Sequence, residues 1–254
     1  MLANLVVATG AVVVIAILWL MHDLRRERRT VRAYVDSLRP LPGDPLERAL
    51  HLATQLGNRH VAPRDPVYLS RAFHVVGATA SSVIERGGCC SGLSRLYMLA
   101  LESLGVRANQ ITVYHREGHA QHCLVEVHLP DGPACVDPVY GLSYRDLSGR
   151  PLGLLDLQRG VRVHCLPTPG ACPSGYPRND YYAFDYTLTR TANWTRSWPR
   201  RAAYGVLRLL SHGGVDRMRV PQLFEWPQAL LALLLVGLAA FGSGVVALSR
   251  AWIS

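Results

Sequence analysis

The sequence predicts an α+β fold, in which a buried helix packs on an antiparallel sheet and the pair is flanked by two membrane-length apolar segments. Three observations predict it. Leu93, Leu96, Tyr97, Ala100, Leu101 and Leu104 recur at helical spacing and stop at Gly105. Residues 109–115, 121–129 and 134–137 alternate as strands, with Asp131-Gly132 as a hairpin turn. Residues 2–21 and 229–248 carry no charge over about 20 positions each, long enough to cross a bilayer.

In chain order, residues 2–21 read as a first transmembrane helix. A signal peptide is the rival reading, but the basic residues follow the apolar run and no small-x-small cleavage site is evident, so the segment is expected to be retained. Residues 22–43, with Arg25, Arg26, Arg28, Arg29 and Arg32, read as a basic juxtamembrane linker. Residues 44–190 read as the central domain. Asp44-Pro45-Leu46-Glu47 is a capping box that opens a helix running to about Gly57. A second helical segment falls within 67–86, and Cys90 opens the buried helix. Pro167 to Pro177 is a loop, and Tyr181, Tyr182, Phe184 and Tyr186 alternate as a strand, as core packing or as the wall of a cleft. Residues 191–228 read as an Arg- and Trp-rich membrane-interface segment, with Trp194, Trp198 and Trp226 at the lipid boundary, Trp226 most clearly. Residues 229–248 form the second span, on which Ala240 and Gly244 offer a small-residue face for packing against the first span or a membrane partner.

Three side chains supply a nucleophile, a base and an orienting anion. At the helix start, unpaired amides and the macrodipole favour the Cys90 thiolate, and one of those amides could hold an oxyanion. On a period of two, His122, Leu124, Glu126 and His128 share one strand face, opposite Cys123, Val125, Val127 and Leu129. Asp137 then lies near His122 across neighbouring strands and can hold the imidazole while its other nitrogen takes the thiol proton. Cys89 and Cys90 point about 100° apart on a helix, so only one faces His122. Glu126 lies roughly 13 Å along the strand from His122, so its expected role is support.

At these residues the chain resembles the transglutaminase-like superfamily, of papain-like Cys-His-Asp type and in a membrane-anchored bacterial form. The resemblance covers roughly residues 45–160. Gly88 stands two residues before the nucleophile, Leu104-Gly105-Val106 matches the turn that ends the family's helix, and the family's distance from nucleophile to that glycine implies Cys90 rather than Cys89. His122-Cys123-Leu124-Val125-Glu126-Val127 stands for its His-Ala-Trp-x-Glu-x strand, and Asp137-Pro138 for its Asp-Pro. The resemblance implies a cysteine hydrolase or acyltransferase, a peptidase or amidase foremost, acting on a peptide or amide through a thioester on Cys90 with no cofactor. Arg86-Gly87-Gly88-Cys89-Cys90 also resembles the Arg-Gly-Gly-x-Cys signature of arylamine N-acetyltransferases. Gly92 stands where that family has an acid, and Asp137-Pro138-Val139-Tyr140-Gly141 departs from its Asp-Val-Gly-Phe-Gly. A third reading, a non-catalytic scaffold in a membrane assembly, has the intact triad against it.

The net charge of +9 is not on the domain, since residues 40–189 hold thirteen Arg and thirteen acids. That location argues against a nucleic-acid partner and for anchoring at a lipid bilayer. Arg208, Arg217 and Arg219 precede the second span and only Arg250 follows it. The positive-inside rule therefore predicts a two-span protein of the cell inner membrane, with the catalytic domain in the cytoplasm and both termini outside. Thiols there stay reduced; on the oxidising side, Cys165 and Cys172 would be the expected disulfide. No metal site is expected, because there is no Cys-x-x-Cys and His115, His119, His122, His128 and the cysteines fall on opposed strand faces.

Overall fold

The computed structural model describes residues 2–68, 77–164, 184–192, 194, 198–212, 214–218 and 225–253. Its helices are α1 (Leu2–Ser37), α2 (Pro45–His60), α3 (Ala80–Arg86), α4 (Cys90–Ser103), α5 (Leu154–Gln158), α6 (Trp198–Leu210) and α7 (Pro227–Ile253). Its strands are β1 (Ala108–His115), β2 (Ala120–Leu129), β3 (Gly132–Asp137), β4 (Leu142–Ser143) and β5 (Phe184–Arg190). They form one antiparallel sheet in the order β4-β3-β2-β1-β5, so the fold is α+β.

Alternation along the strands gives the sheet two buried faces. Val125, Val127 and Val136 pack with α2 and α4, while Ile111, Val113, Leu124 and Cys135 pack with Tyr144, Leu152, Leu154, Leu157 and Phe184. Between these helices and the sheet, α4 is buried nearly all round, with Leu93, Leu96, Tyr97, Met98, Leu99 and Leu101 at most 1% exposed. Each such side chain contributes about 1.5–3 kcal/mol relative to exposure, so the position of the first turn of α4 is set by the whole core. Polar ties fix it further, since Tyr97 donates to the Ala49 carbonyl at 2.9 Å and Ser94 to that of Cys123 at 3.3 Å.

The helix opened by the Asp44 box runs to His60, three residues past Gly57. There the next residue, Val61, bridges Gly88 in parallel. Gly57 is therefore a contact within the helix. A Cβ there would lie 2.5 Å from the Val139 carbonyl oxygen, so only glycine lets α2 rest on the turn that follows Asp137. Of the helix expected within 67–86, α3 supplies the second part, and residues 69–76 fall outside the described residues. So do the Pro167 to Pro177 loop, Cys165, Cys172, Tyr181 and Tyr182.

Two readings of the flanking segments are corrected. Residues 22–37 are not a linker: α1 continues through them, and Leu20, Leu24, Val31, Val35 and Leu38 form a buried stripe in the core. Their spacing of three, four and seven is helical, and the arginines of the other faces mask it. Nor do Trp194 and Trp226 face outward, being 8% and 3% exposed. Trp226 joins the main core beneath the Arg28 guanidinium, and Trp194 packs against Tyr204. One helix among the described residues, with its apolar window at Pro227–Gly244, is long and apolar enough to cross a membrane. At its start Gln228 donates to Asp23 at 2.8 Å and Trp226 meets Arg28, so α7 and α1 run antiparallel. Small residues do serve this packing, but Ala229 and Ala232 are the buried ones, while Ala240 and Gly244 are exposed.

Candidate active site

Each candidate residue is delivered by the end of an element. Cys90 is the first residue of α4, with Cys89 as its N-cap. Asp137 is the last residue of β3. Because Val136 pairs with Val125, His122 lies beyond the end of β3, where the Asp137 side chain can reach it. The Asp137 Oδ2 atom accepts from His122 Nε2 at 2.8 Å, and its Oδ1 accepts the Val139 amide at 2.9 Å. With Nε2 committed to the carboxylate, the Nδ1 side of the ring is left for Cys90, whose thiol hydrogen-bonds to His122. The structure thus brings Cys90, His122 and Asp137 together.

Burial makes this assembly one-sided. His122 and Asp137 are 1% and 0% exposed, whereas Cys90 is partly open. The Phe184 ring stacks over the imidazole at 6.2 Å between centroids and 12° between planes. Of the aromatic group read as core or cleft wall, Phe184 is thus the member against the site. Desolvation on its own would lower the His122 pKa, but the Asp137 charge, its hydrogen bond and the Cys90 contact outweigh it and raise it to about 10. An imidazolium facing a sulfur is the arrangement that favours a thiolate.

Cys89 occupies the opposite environment. Its hydrogen bond to Cys90, its burial and the Asp65 charge all push its thiol up. Those influences all favour its protonated form beside Cys90.

Asp65, absent from the sequence reading, organises this turn. Its Oδ1 accepts the amides of Cys89 and Gly92 at 2.8 and 3.1 Å, and its Oδ2 accepts the Ser91 hydroxyl. The Cys90 amide is not one of its donors. Gly88 and Gly92 make the space: a Cβ would stand 3.0 and 2.3 Å from Asp65 Oδ1. No local signal marks Asp65, which precedes the helix it caps by 24 residues. The glycines at 88 and 92 were the only hint that something approaches that backbone closely.

Glu126 is nearly buried and accepts the Leu154 amide at 2.8 Å, so it caps α5 and ties β2 to it. A separate cavity of about 540 Å3 is lined by Gln158, Thr187, Thr189, Arg190, Asp216 and Arg217, and none of the three site residues borders it.

The sequence reading spread the histidines over opposed faces, but the structure gathers His115, Glu117 and His119 at the tip of the β1–β2 hairpin. Strand parity does not govern them, because residues 116–119 are turn and the β1–β2 register shifts after Val113. No family model, no curated protein and no solved structure matches the chain.

Proposed function

We propose that this protein is a membrane-anchored thiol enzyme of transglutaminase-like, papain-like type, cleaving or transferring the acyl group of a peptide or amide through a thioester on Cys90. The observation that carries the reading is the His122 imidazole, bound through Nε2 to Asp137 and in hydrogen-bonding contact with the Cys90 thiol. The Cys90 sulfur attacks the amide carbonyl carbon and the C=O electron pair moves to oxygen, to which the Cys90 amide donates. As the C–N bond breaks, His122 gives its Nδ1 proton to the leaving nitrogen. Water or an amine then attacks the thioester, His122 takes its proton, and the C–S bond breaks to return the thiolate. No cofactor enters these steps.

The same reading places the protein in the cell inner membrane. Support comes from the span at Pro227–Gly244, from the exposed Val12, Val14, Ile15, Leu18 and Trp19 on α1, and from the antiparallel run of α7 beside α1. Two spans with both termini outside and the domain in the cytoplasm follow from the arginines that flank the domain. The outward face of α6, with Val206, Leu209 and Leu210 from 56% to 81% exposed, suits the lipid surface beside them.

The test is alkylation of the detergent-solubilised full-length protein by iodoacetamide near neutral pH, mapped by mass spectrometry, alongside turnover of peptide amides. Cys90 labels first, Cys90→Ala loses both label and turnover, and Cys89→Ala keeps both. First labelling at Cys89, or turnover by Cys90→Ala, would refute the assignment. The mass trapped on Cys90 separates a peptide acyl group from an acetyl group.

A further inference from the structure

The β1–β2 hairpin tip carries a second group of ligating side chains that the proposed chemistry does not use. Gly118, at φ +84°, closes the turn with its amide on the His115 carbonyl at 2.7 Å, and the His115 amide donates to the His119 carbonyl at 2.9 Å. That closure sets His115 and His119 opposite each other, their rings 4.9 Å apart and 19° from parallel. The Glu117 carboxylate lies between them, with Oε2 3.7 Å from His115 Nδ1 and 3.8 Å from His119 Nδ1. Donors around a tetrahedral ion with bonds of about 2.1 Å are about 3.4 Å apart. The two separations from Glu117 are a few tenths of an ångström from that value, and the donor atoms of the three side chains all lie within 4.8 Å of one another.

From this arrangement we infer that His115, Glu117 and His119 bind a divalent borderline transition-metal ion, of the zinc class, through two imidazoles and one carboxylate. The donor set is the one such ions select, and three protein ligands leave a position open to solvent or to a fourth donor. The Glu117 amide already donates to His115 Nδ1 at 3.2 Å. That nitrogen is therefore unprotonated and turned toward the carboxylate, and the ion takes its lone pair in place of the amide. The near-parallel rings converge once the His119 ring turns about its second side-chain torsion, and at 57% side-chain exposure it has the freedom to do so. The ion would sit at the end of the sheet that presents the candidate base. His119 precedes His122 by three residues, and His115 pairs with Phe184, whose ring covers His122.

The competitor for any such ion is the thiol site, so the experiment separates the two. The full-length protein in detergent is stripped with a chelator and titrated with Zn2+ by calorimetry and with Co2+ by absorption. Expected is a single equivalent bound in the micromolar range, with no sulfur-to-cobalt charge-transfer band. Cys90→Ala binds as the parent does, while His119→Ala and Glu117→Gln bind roughly tenfold more weakly or worse. Both substituted side chains are exposed, and unchanged melting curves confirm that the fold is kept. A thiolate charge-transfer band, undiminished binding by His119→Ala, or no binding in the micromolar range would each overturn the site. Failure here leaves the thiol chemistry standing, because Cys90 labelling is read separately.

Discussion

The starts of α2 and α4 are both capped by a carboxylate, and they differ in where the carboxylate comes from. At α2 it is Asp44, the residue before the helix, accepting the Glu47 amide at 2.8 Å in open solvent. At α4 the capping position belongs to Cys89, which makes no side-chain cap, and the carboxylate arrives from Asp65, on the loop after α2. The local cap stabilises one helix. The distant one also joins two segments, and it places a negative charge beside one thiol of a pair while the imidazole faces the other. With a cysteine at its N-cap that makes no side-chain cap, the start of α4 is satisfied by an anion from elsewhere in the chain.

The largest effect should come from the imidazole side of α4. Asp137→Asn removes the main influence that raises His122, so the ring becomes less basic and loses the anion that orients it. Turnover should fall by a factor on the order of 10⁴, measured as kcat on whichever peptide amide is cleaved. The pH dependence carries the sign. With the His122 pKa raised to about 10, the imidazolium needed to protonate the leaving nitrogen persists to that pH and fails above it, so the parent loses activity on the alkaline side. In the Asn variant that limb moves to lower pH. The raised value also means that the proton is held more tightly folded than unfolded. Its contribution to stability is present below about 6.5 and is lost as the pH rises through about 10. An unmoved alkaline limb would mean that another group sets it.

The anion side of α4 should respond differently. Asp65→Ala leaves the amides of Cys89 and Gly92 and the Ser91 hydroxyl without their acceptor, at a cost of about 1–3 kcal/mol. Asp65 is also one of the influences that hold the Cys89 thiol up. Alkylation of Cys89 should therefore speed up relative to Cys90, which mass spectrometry reads as a ratio. A stability loss with an unchanged ratio would reduce Asp65 to a structural tie.

The same contrast explains what was legible beforehand. Local patterns carry far: the Asp44 box, the stripe of α4, the alternation of β2 and the hairpin into β3 each express their structure within a few residues, and Cys90, His122 and Asp137 stand on α4, β2 and β3. What depends on contacts between distant segments was not legible. Asp65 gives no local sign, and Gly57 reads as a helix end until the Val139 carbonyl is seen against it. The charged surface of residues 22–37 masks the buried stripe beneath it, and Trp226 reads as a lipid-facing residue because nothing local shows Arg28 and the core around it. At the hairpin tip, parity failed because Gly118 turns the chain before the alternation can apply.

The smallest effect belongs to the local cap. Asp44→Ala removes one exposed hydrogen bond, to the Glu47 amide, so α2 should lose about 1 kcal/mol. Because Pro45 already fixes the first turn, the helix should still form, and a melting curve should shift by a few degrees. Nothing in this cap touches α4, so the Cys90 to Cys89 labelling ratio should stay at the parent value. Since α2 reaches the turn after Asp137 through Gly57, a changed ratio would show that its start and that turn move as one body. The effect of Asp65→Ala would then have to be read as a general loosening, because a purely local cap would have produced it too.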